Sequence, residues 1–208
     1  MVKPYYEEGG ITIYHGDCRE VLPTLGRFDL LLTDPPYGIN AARHRDSRLA
    51  GWKDYGEKAE AEWDKTRPGI DVLEMAIDSC RDSIIWGGNY FNLPINSKWL
   101  VWDKMQRDFS LADVELAWTS LPGASRAVSI SRGEALQDGR YHPTQKPVAV
   151  MRWCIGQTKK TRSIVDCFMG SGSTLLAAKI DGIKATGIEM VERYCEVAAE
   201  RLRQGVLF

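Results

Sequence analysis

Along most of this chain, short apolar runs alternate with amphipathic stretches. Residues 11–15, Ile-Thr-Ile-Tyr-His, alternate with a period of two and read as a half-buried strand. Residues 28–32, Phe-Asp-Leu-Leu-Leu, make a short run that ends in Thr33-Asp34-Pro35-Pro36-Tyr37-Gly38. A run so short, bounded by proline and glycine, reads as a strand covered on both faces. The two prolines stop its ladder, because neither can donate a backbone hydrogen bond. Further strands are predicted over 83–86, 99–103, 114–118, 163–168 and 184–188, seven in all. Apolar residues recur at helical spacing as Val21, Leu22 and Leu25; Ile70, Leu73, Ile77 and Cys80; Val148, Met151 and Ile155; and Val191, Tyr194, Ala198 and Leu202. Together these predict an α/β fold: a mostly parallel seven-stranded sheet with helices on both faces. Residues 99–103 and 114–118 are expected as its antiparallel edge.

Two stretches break the pattern. Residues 38–66 lack sustained periodicity, and a loop of that length inside a compact domain is usually functional or disordered. Its first half carries Arg43, Arg45, Arg48 and Lys53 among His44, Trp52 and Tyr55, and its second half turns acidic at Glu57, Glu60, Glu62 and Asp64. Basic residues mixed with aromatics suit a mobile loop that contacts phosphates and orders on DNA, although a solvated surface loop has the same composition. Residues 121–141 are polar and rich in Gly, Ser and Arg, with Arg126, Arg132 and Arg140. Gly87-Gly88 after a strand permits close approach to the backbone, or makes a tight strand-to-helix turn.

The bulk composition narrows the class. With 208 residues, the chain suits one domain, 1–208, with a sizeable core. No apolar run is long enough to span a membrane, and residues 1–8 have no apolar core of the signal-peptide kind, so a cytoplasmic protein is expected. Cys18, Cys80, Cys154, Cys167 and Cys195 form no Cys-x-x-Cys pair, which suggests core residues rather than a zinc site or disulfide framework. The net charge of -1 requires any nucleic-acid surface to be a local patch.

Chemistry concentrates at the corner after the second strand. Asp34 and Tyr37 stand at a strand's carboxyl end, where open α/β sheets hold their ligands. The corner offers a carboxylate acceptor, bare carbonyls and an aromatic face, which is what a planar aminated base needs. A second constellation is Ser163-Ile164-Val165-Asp166-Cys167-Phe168, followed by Met169-Gly170-Ser171-Gly172-Ser173-Thr174. It lacks the lysine of a phosphate loop, and Leu175 stands where a dinucleotide fingerprint needs a small residue. Glu189 closes the next strand, where an acid can accept both hydroxyls of a ribose.

Asp34-Pro35-Pro36-Tyr37 resembles the catalytic motif of the amino-group DNA methyltransferases, and the glycine loop resembles their S-adenosylmethionine loop. The resemblance implies a Rossmann-like methyltransferase fold. Because the catalytic strand precedes the cofactor strand, it implies the circularly permuted class, with a short target-recognition segment at 121–141. It implies that Asp34, Pro35, Pro36 and Tyr37 are catalytic. Asp17 and Cys18 would lie beside the cofactor's adenine, although Asp17 is also placed to cap a helix. Lys146 would bind its carboxylate at a helix start that Pro147 favours, and Asp166, Phe168, Gly170, Ser171, Gly172, Ser173, Thr174 and Glu189 would complete the site. Arg43, Arg45, Arg48, Lys53, Arg126 and Arg132 are the DNA-contact candidates.

The Asp form of the motif is commoner in the adenine enzymes, so the resemblance implies N6-adenine methylation of double-stranded DNA. N4-cytosine methylation, an RNA or protein-amide substrate, and a silent DNA- or cofactor-binding regulator are the alternatives. Carbon-5 cytosine methylation would need a Pro-Cys, which the chain does not contain. Direct displacement from the sulfonium requires neither metal nor covalent intermediate. The resemblance places the protein in bacteria or their phages, as a monomer or homodimer. The tail Gln204-Gly205-Val206-Leu207-Phe208 resembles the peptide by which bacterial proteins dock on the replication sliding clamp; an apolar tail tucked on its own sheet is the other reading.

Overall fold

The computed structural model describes residues 2–38, 67–107, 112–131, 133 and 145–204. Nine strands form one sheet: β1 (Tyr6–Glu8), β2 (Ile11–His15), β3 (Phe28–Thr33), β4 (Cys80–Trp86), β5 (Trp99–Asp103), β6 (Val114–Thr119), β7 (Arg126–Ser129), β8 (Ser163–Asp166) and β9 (Lys184–Glu189). Their order is β1-β2-β9-β8-β3-β4-β6-β5-β7. The five strands from β2 to β4 run parallel to one another. β6 runs against both β4 and β5, and β1 runs against β2.

The expected seven strands are therefore nine among the described residues. β1 and β7 were missed because they are three- and four-residue edge strands with mostly exposed side chains, so no apolar alternation marks them. The antiparallel edge is also more mixed than expected, since β7 returns parallel to β5.

Among the described residues, five helices cover the sheet: α1 (Cys18–Val21), α2 (Ile70–Asp78), α3 (Val148–Ile155), α4 (Ser173–Ile180) and α5 (Glu192–Arg203). Strand periodicity sorts the core into two faces. Leu30 and Leu32 of β3 pack with α3, α4 and α5, whereas Leu31 packs with α1 and α2. α2 ends at Asp78, so Cys80 opens β4 instead of closing the helix. All five cysteines are free and buried. No helix among the described residues is long and apolar enough to cross a membrane.

This topology sets the location of a cleft. β3 connects onward to β4 on one side, and β8 connects onward to β9 on the other. Chain direction thus reverses its sense of progress between the adjacent strands β8 and β3, the switch point at which open α/β sheets hold ligands.

Candidate active site

At the carboxyl end of β3, Asp34 enters a corner stiffened by Pro35 and Pro36. Tyr37 folds back from that corner, and its hydroxyl donates to Asp34 Oδ1 at 2.5 Å. The ring lies flat on the turn after β4, where Gly87 has a φ of +66°. A Cβ on Gly87 would stand 2.0 Å from Tyr37 Cε1, so the position needs glycine for both its backbone angle and its neighbour. Tyr90, from the same turn, stacks on Tyr37 with centroids 4.8 Å apart and planes inclined by 14°. Arg67 fixes that turn by donating to the Tyr90 carbonyl at 2.9 Å. The close approach that Gly87-Gly88 permits is therefore that of the Tyr37 ring at Gly87 and of Trp118 at Gly88.

Lys146, expected at the cofactor's carboxylate, lines the cleft and is engaged with the Asp34 corner. Its Nζ donates to Asp34 Oδ2 at 2.6 Å and to the Tyr37 hydroxyl at 3.2 Å, and stands 2.9 Å from Glu115 Oε2. The side chain is 4% exposed, and two carboxylates are stronger partners there than a solvated ligand group. Breaking a buried pair of this kind leaves an uncompensated charge and costs about 3–5 kcal/mol. Burial pushes the Asp34 carboxyl above its usual range, and Lys146 only partly opposes that. For Lys146 the balance reverses: burial disfavours its charge, but Asp34 and Glu115 hold it well above the ordinary lysine value.

The cofactor side is built from β8, the glycine loop and β9. Asp166 is buried and accepts from Thr33 Oγ1 at 2.7 Å, Thr174 Oγ1 at 2.6 Å and the Phe168 amide at 3.1 Å. It thereby ties the end of β3 to the start of α4. Burial still raises its carboxyl to about 6, against those three hydrogen bonds. Glu189 accepts from the amides of Gly170 at 3.0 Å and Val191 at 2.9 Å, and burial raises it too. Ser171 donates to Gln145 at 3.2 Å and is held from behind by Arg201, whose Nη1 donates to the Ser171 carbonyl at 2.5 Å.

Gly172 caps α4 with a φ of +82°, and a Cβ on it would meet the Ala198 Cβ at 2.8 Å. No side chain caps α4, whose first residues, Ser173 and Thr174, line the cleft. Ser173 Oγ is buried there without a hydrogen-bond partner. Uncapped amides beside a lone buried hydroxyl suit an anionic, hydrogen-bonding ligand group. Asp17 caps α1 through the Arg19 amide at 2.9 Å and pairs with the Arg19 side chain, so the capping expectation describes it; it also lines the cleft, with Cys18 buried beside it.

The cleft measures about 530 Å³ and is lined by residues from both constellations, among them Asp17, Asp34, Lys146, Phe168, Ser173 and Glu189. Two segments more than 130 positions apart thus share one cavity.

Sequence reasoning missed four residues of this centre: Glu115, Lys104, Tyr90 and Trp86. Glu115 lies in β6, and its Oε1 pairs with Lys104 Nζ at 2.6 Å. Lys146 Nζ stands 5.5 Å from the centroid of the buried Trp86 ring. Charged residues in and beside apolar strands carry no motif, so only the alternation Val114-Glu115-Leu116 could have hinted at an inward acid.

The DNA-contact candidates fare differently. Arg126 opens the edge strand β7, three strands beyond β4; its register through Leu100 and Ala117 puts it level with Trp86 at the carboxyl end of β4, but it does not line the cleft. Arg43, Arg45, Arg48, Lys53 and Arg132 lie outside the described residues, as do most of the 38–66 loop and 134–141. Of the proposed clamp-binding tail, Gln204 follows α5 and residues 205–208 lie outside the described residues.

Comparison with known proteins bears on the same features. The family model N6_N4_Mtase, described as DNA methylase, matches residues 83–200. YubD of Escherichia coli (strain K12), named as a methylase, is 42% identical over 209 residues, covering 90% of this chain and 88% of its own. Among solved structures, the M1.HpyAVI–SAM complex superposes with a TM-score of 0.60 at 21% identity, over 92% of this chain and 98% of that one. The PvuII DNA methyltransferase, cytosine-N4-specific, gives 0.62 at 19% identity, over 96% and 88%. With more than half its length matched by that family model and a 42% identical relative along nearly all of it, this chain belongs to the N6/N4 family of DNA methylases.

Proposed function

We propose that this protein transfers a methyl group from S-adenosylmethionine to the N6 amino group of an adenine flipped out of double-stranded DNA. Amino methylation of DNA follows from family membership; the choice of adenine rests on Asp at position 34, the commoner form in the adenine enzymes. The observation that carries the reading is that Asp34 and the glycine loop line one cleft at the switch point.

S-adenosylmethionine supplies an electrophilic methyl group on a sulfonium. The residues that would hold it are Glu189, Phe168, Ser173 and the loop from Gly170 to Thr174. The orphaned Ser173 hydroxyl and the uncapped amides of α4 fit its carboxylate, and Glu189 retains acceptor capacity for the ribose hydroxyls.

An exocyclic amine is a poor nucleophile because its lone pair is delocalised into the ring. Asp34 and the Pro35 carbonyl would each accept one of its two hydrogens, concentrating electron density on nitrogen. Methylation leaves that nitrogen cationic until it releases a proton, and Asp34 is the acceptor within reach. Tyr37 offers its ring to stack on the base. Its hydroxyl now donates to Asp34 Oδ1, the kind of donor that the incoming amino group would replace.

The test is to incubate the protein with unmodified DNA and isotopically labelled S-adenosylmethionine, then digest the DNA and identify labelled nucleosides by mass spectrometry. N6-methyldeoxyadenosine is expected. N4-methyldeoxycytidine would overturn the base assignment, and no labelled nucleoside would overturn the activity.

A further inference from the structure

Four charges alternate in sign behind the catalytic corner. Asp34 Oδ2 meets Lys146 Nζ at 2.6 Å, Lys146 meets Glu115 at 2.9 Å, and Glu115 meets Lys104 Nζ at 2.6 Å. All are substantially buried: the side chains of Asp34, Glu115 and Lys104 are 18%, 23% and 15% exposed. The residues come from the end of β3, the approach to α3, β6, and the position just after β5. Nothing in catalysis as described requires Glu115 or Lys104, and burying two extra charges is costly unless they act on something.

The geometry shows what they act on. Glu115 Oε2 stands 2.9 Å from Lys146 Nζ, farther than Asp34 Oδ2 at 2.6 Å. The directed bonds of that ammonium go to Asp34 and the Tyr37 hydroxyl. Glu115 therefore draws on the charge of Lys146 as a third partner, and the two bonds to Asp34 and Tyr37 stay in place. An ammonium paired with Asp34 alone would keep the carboxylate ionised, but would also weaken it as an acceptor. Shared between two carboxylates, it keeps Asp34 oriented and leaves it the stronger acceptor. Lys104 limits this pull by holding the far oxygen of Glu115.

We propose that Glu115 is a positioning residue of the methyl-transfer centre, which shares the Lys146 ammonium with Asp34, and that Lys104 sets the strength of its pull. The inference rests on the amino-methyltransferase reading above. The electrostatics agree: Glu115 is brought down to about 2 by its two lysines against the effect of burial, whereas Asp34 stays above its usual range. The groups facing Asp34 are Lys146, Glu115 and Tyr37, with Asp166 across the β8–β3 junction.

The experiment measures the pH dependence of kcat for the wild type, Glu115→Gln and Lys104→Met, with S-adenosylmethionine affinity measured separately by calorimetry. Glu115→Gln should bind the cofactor normally and lose about tenfold in kcat, as the ammonium turns wholly to Asp34. Its acid limb should move to lower pH by about one unit, because a negative charge near Asp34 is gone. Lys104→Met should move the limb the other way, which a merely structural contact would not do. An active wild type whose limb is unmoved in Glu115→Gln, or moves in the same direction in both variants, overturns the role alone. A wild type that transfers no methyl group overturns the activity reading and this role with it.

Discussion

Gly87 is where a single methyl group should separate catalysis from cofactor binding. Alanine there must adopt a φ of +66°, which costs about 1–2 kcal/mol for a residue with a side chain. Its Cβ would also stand 2.0–2.6 Å from three carbons of the Tyr37 ring, so the ring must leave. Leaving forfeits the stack on Tyr90, worth about 0.5–1.5 kcal/mol. It also forfeits the hydroxyl bond to Asp34, worth about 1.5–3 kcal/mol because its acceptor is charged. Gly87→Ala should therefore lose about 3–6 kcal/mol of folding stability, measurable by denaturant titration. With Tyr37 displaced, kcat/KM for DNA should fall about a hundredfold. S-adenosylmethionine affinity, read by calorimetry, should hold, because Gly87 does not line the cofactor cleft. Tyr37→Ala should reproduce the kinetic loss without the backbone strain. A Gly87→Ala protein with wild-type kcat/KM would refute the positioning of Tyr37 by this glycine.

Two further substitutions probe the cofactor side. Gly172→Ala combines a φ of +82° with a 2.8 Å contact to Ala198; it should cost about 2–3 kcal/mol of stability and weaken cofactor affinity about tenfold, and unchanged calorimetric affinity would exclude the loop from the binding site. Asp166 titrates at about 6 in the folded chain against an ordinary 3.8. A raised carboxyl contributes stability that is fully present below the ordinary value and lost as pH rises through the folded one, here between about 4 and 6. Asp166→Asn should remove that component, worth about 3 kcal/mol at most; an identical stability change between about pH 4 and pH 7 in both proteins would contradict the assignment.

What was legible in the sequence were features with local signatures. Asp34 was marked by two prolines that must end a strand, and the glycine loop by a strand-turn-helix pattern. What stayed hidden depended on long-range pairing. Lys146 read as a ligand for the cofactor because its neighbourhood is a helix start; that two carboxylates claim it follows only from β6 packing beside β4. Asp166 read as a cofactor flank and does line the cleft, but its bond to Thr33, 133 positions away, which also makes it a fastener between β3 and the loop, had no local signature. The Gly87 turn offered two readings that only the Tyr37 ring could separate. Arg126 read as a DNA contact by charge alone, and strand order sets it on the sheet edge, three strands from β4 and outside the cleft lining. The edge strands β1 and β7 escaped because exposed residues leave no apolar rhythm.

The account stands on Asp34 as the acceptor that activates the amine, and Asp34→Ala tests it most directly. Single-turnover transfer of labelled methyl to unmodified DNA should be abolished in this variant, while S-adenosylmethionine still binds with wild-type affinity. Transfer at the wild-type rate with Asp34 removed would contradict the account.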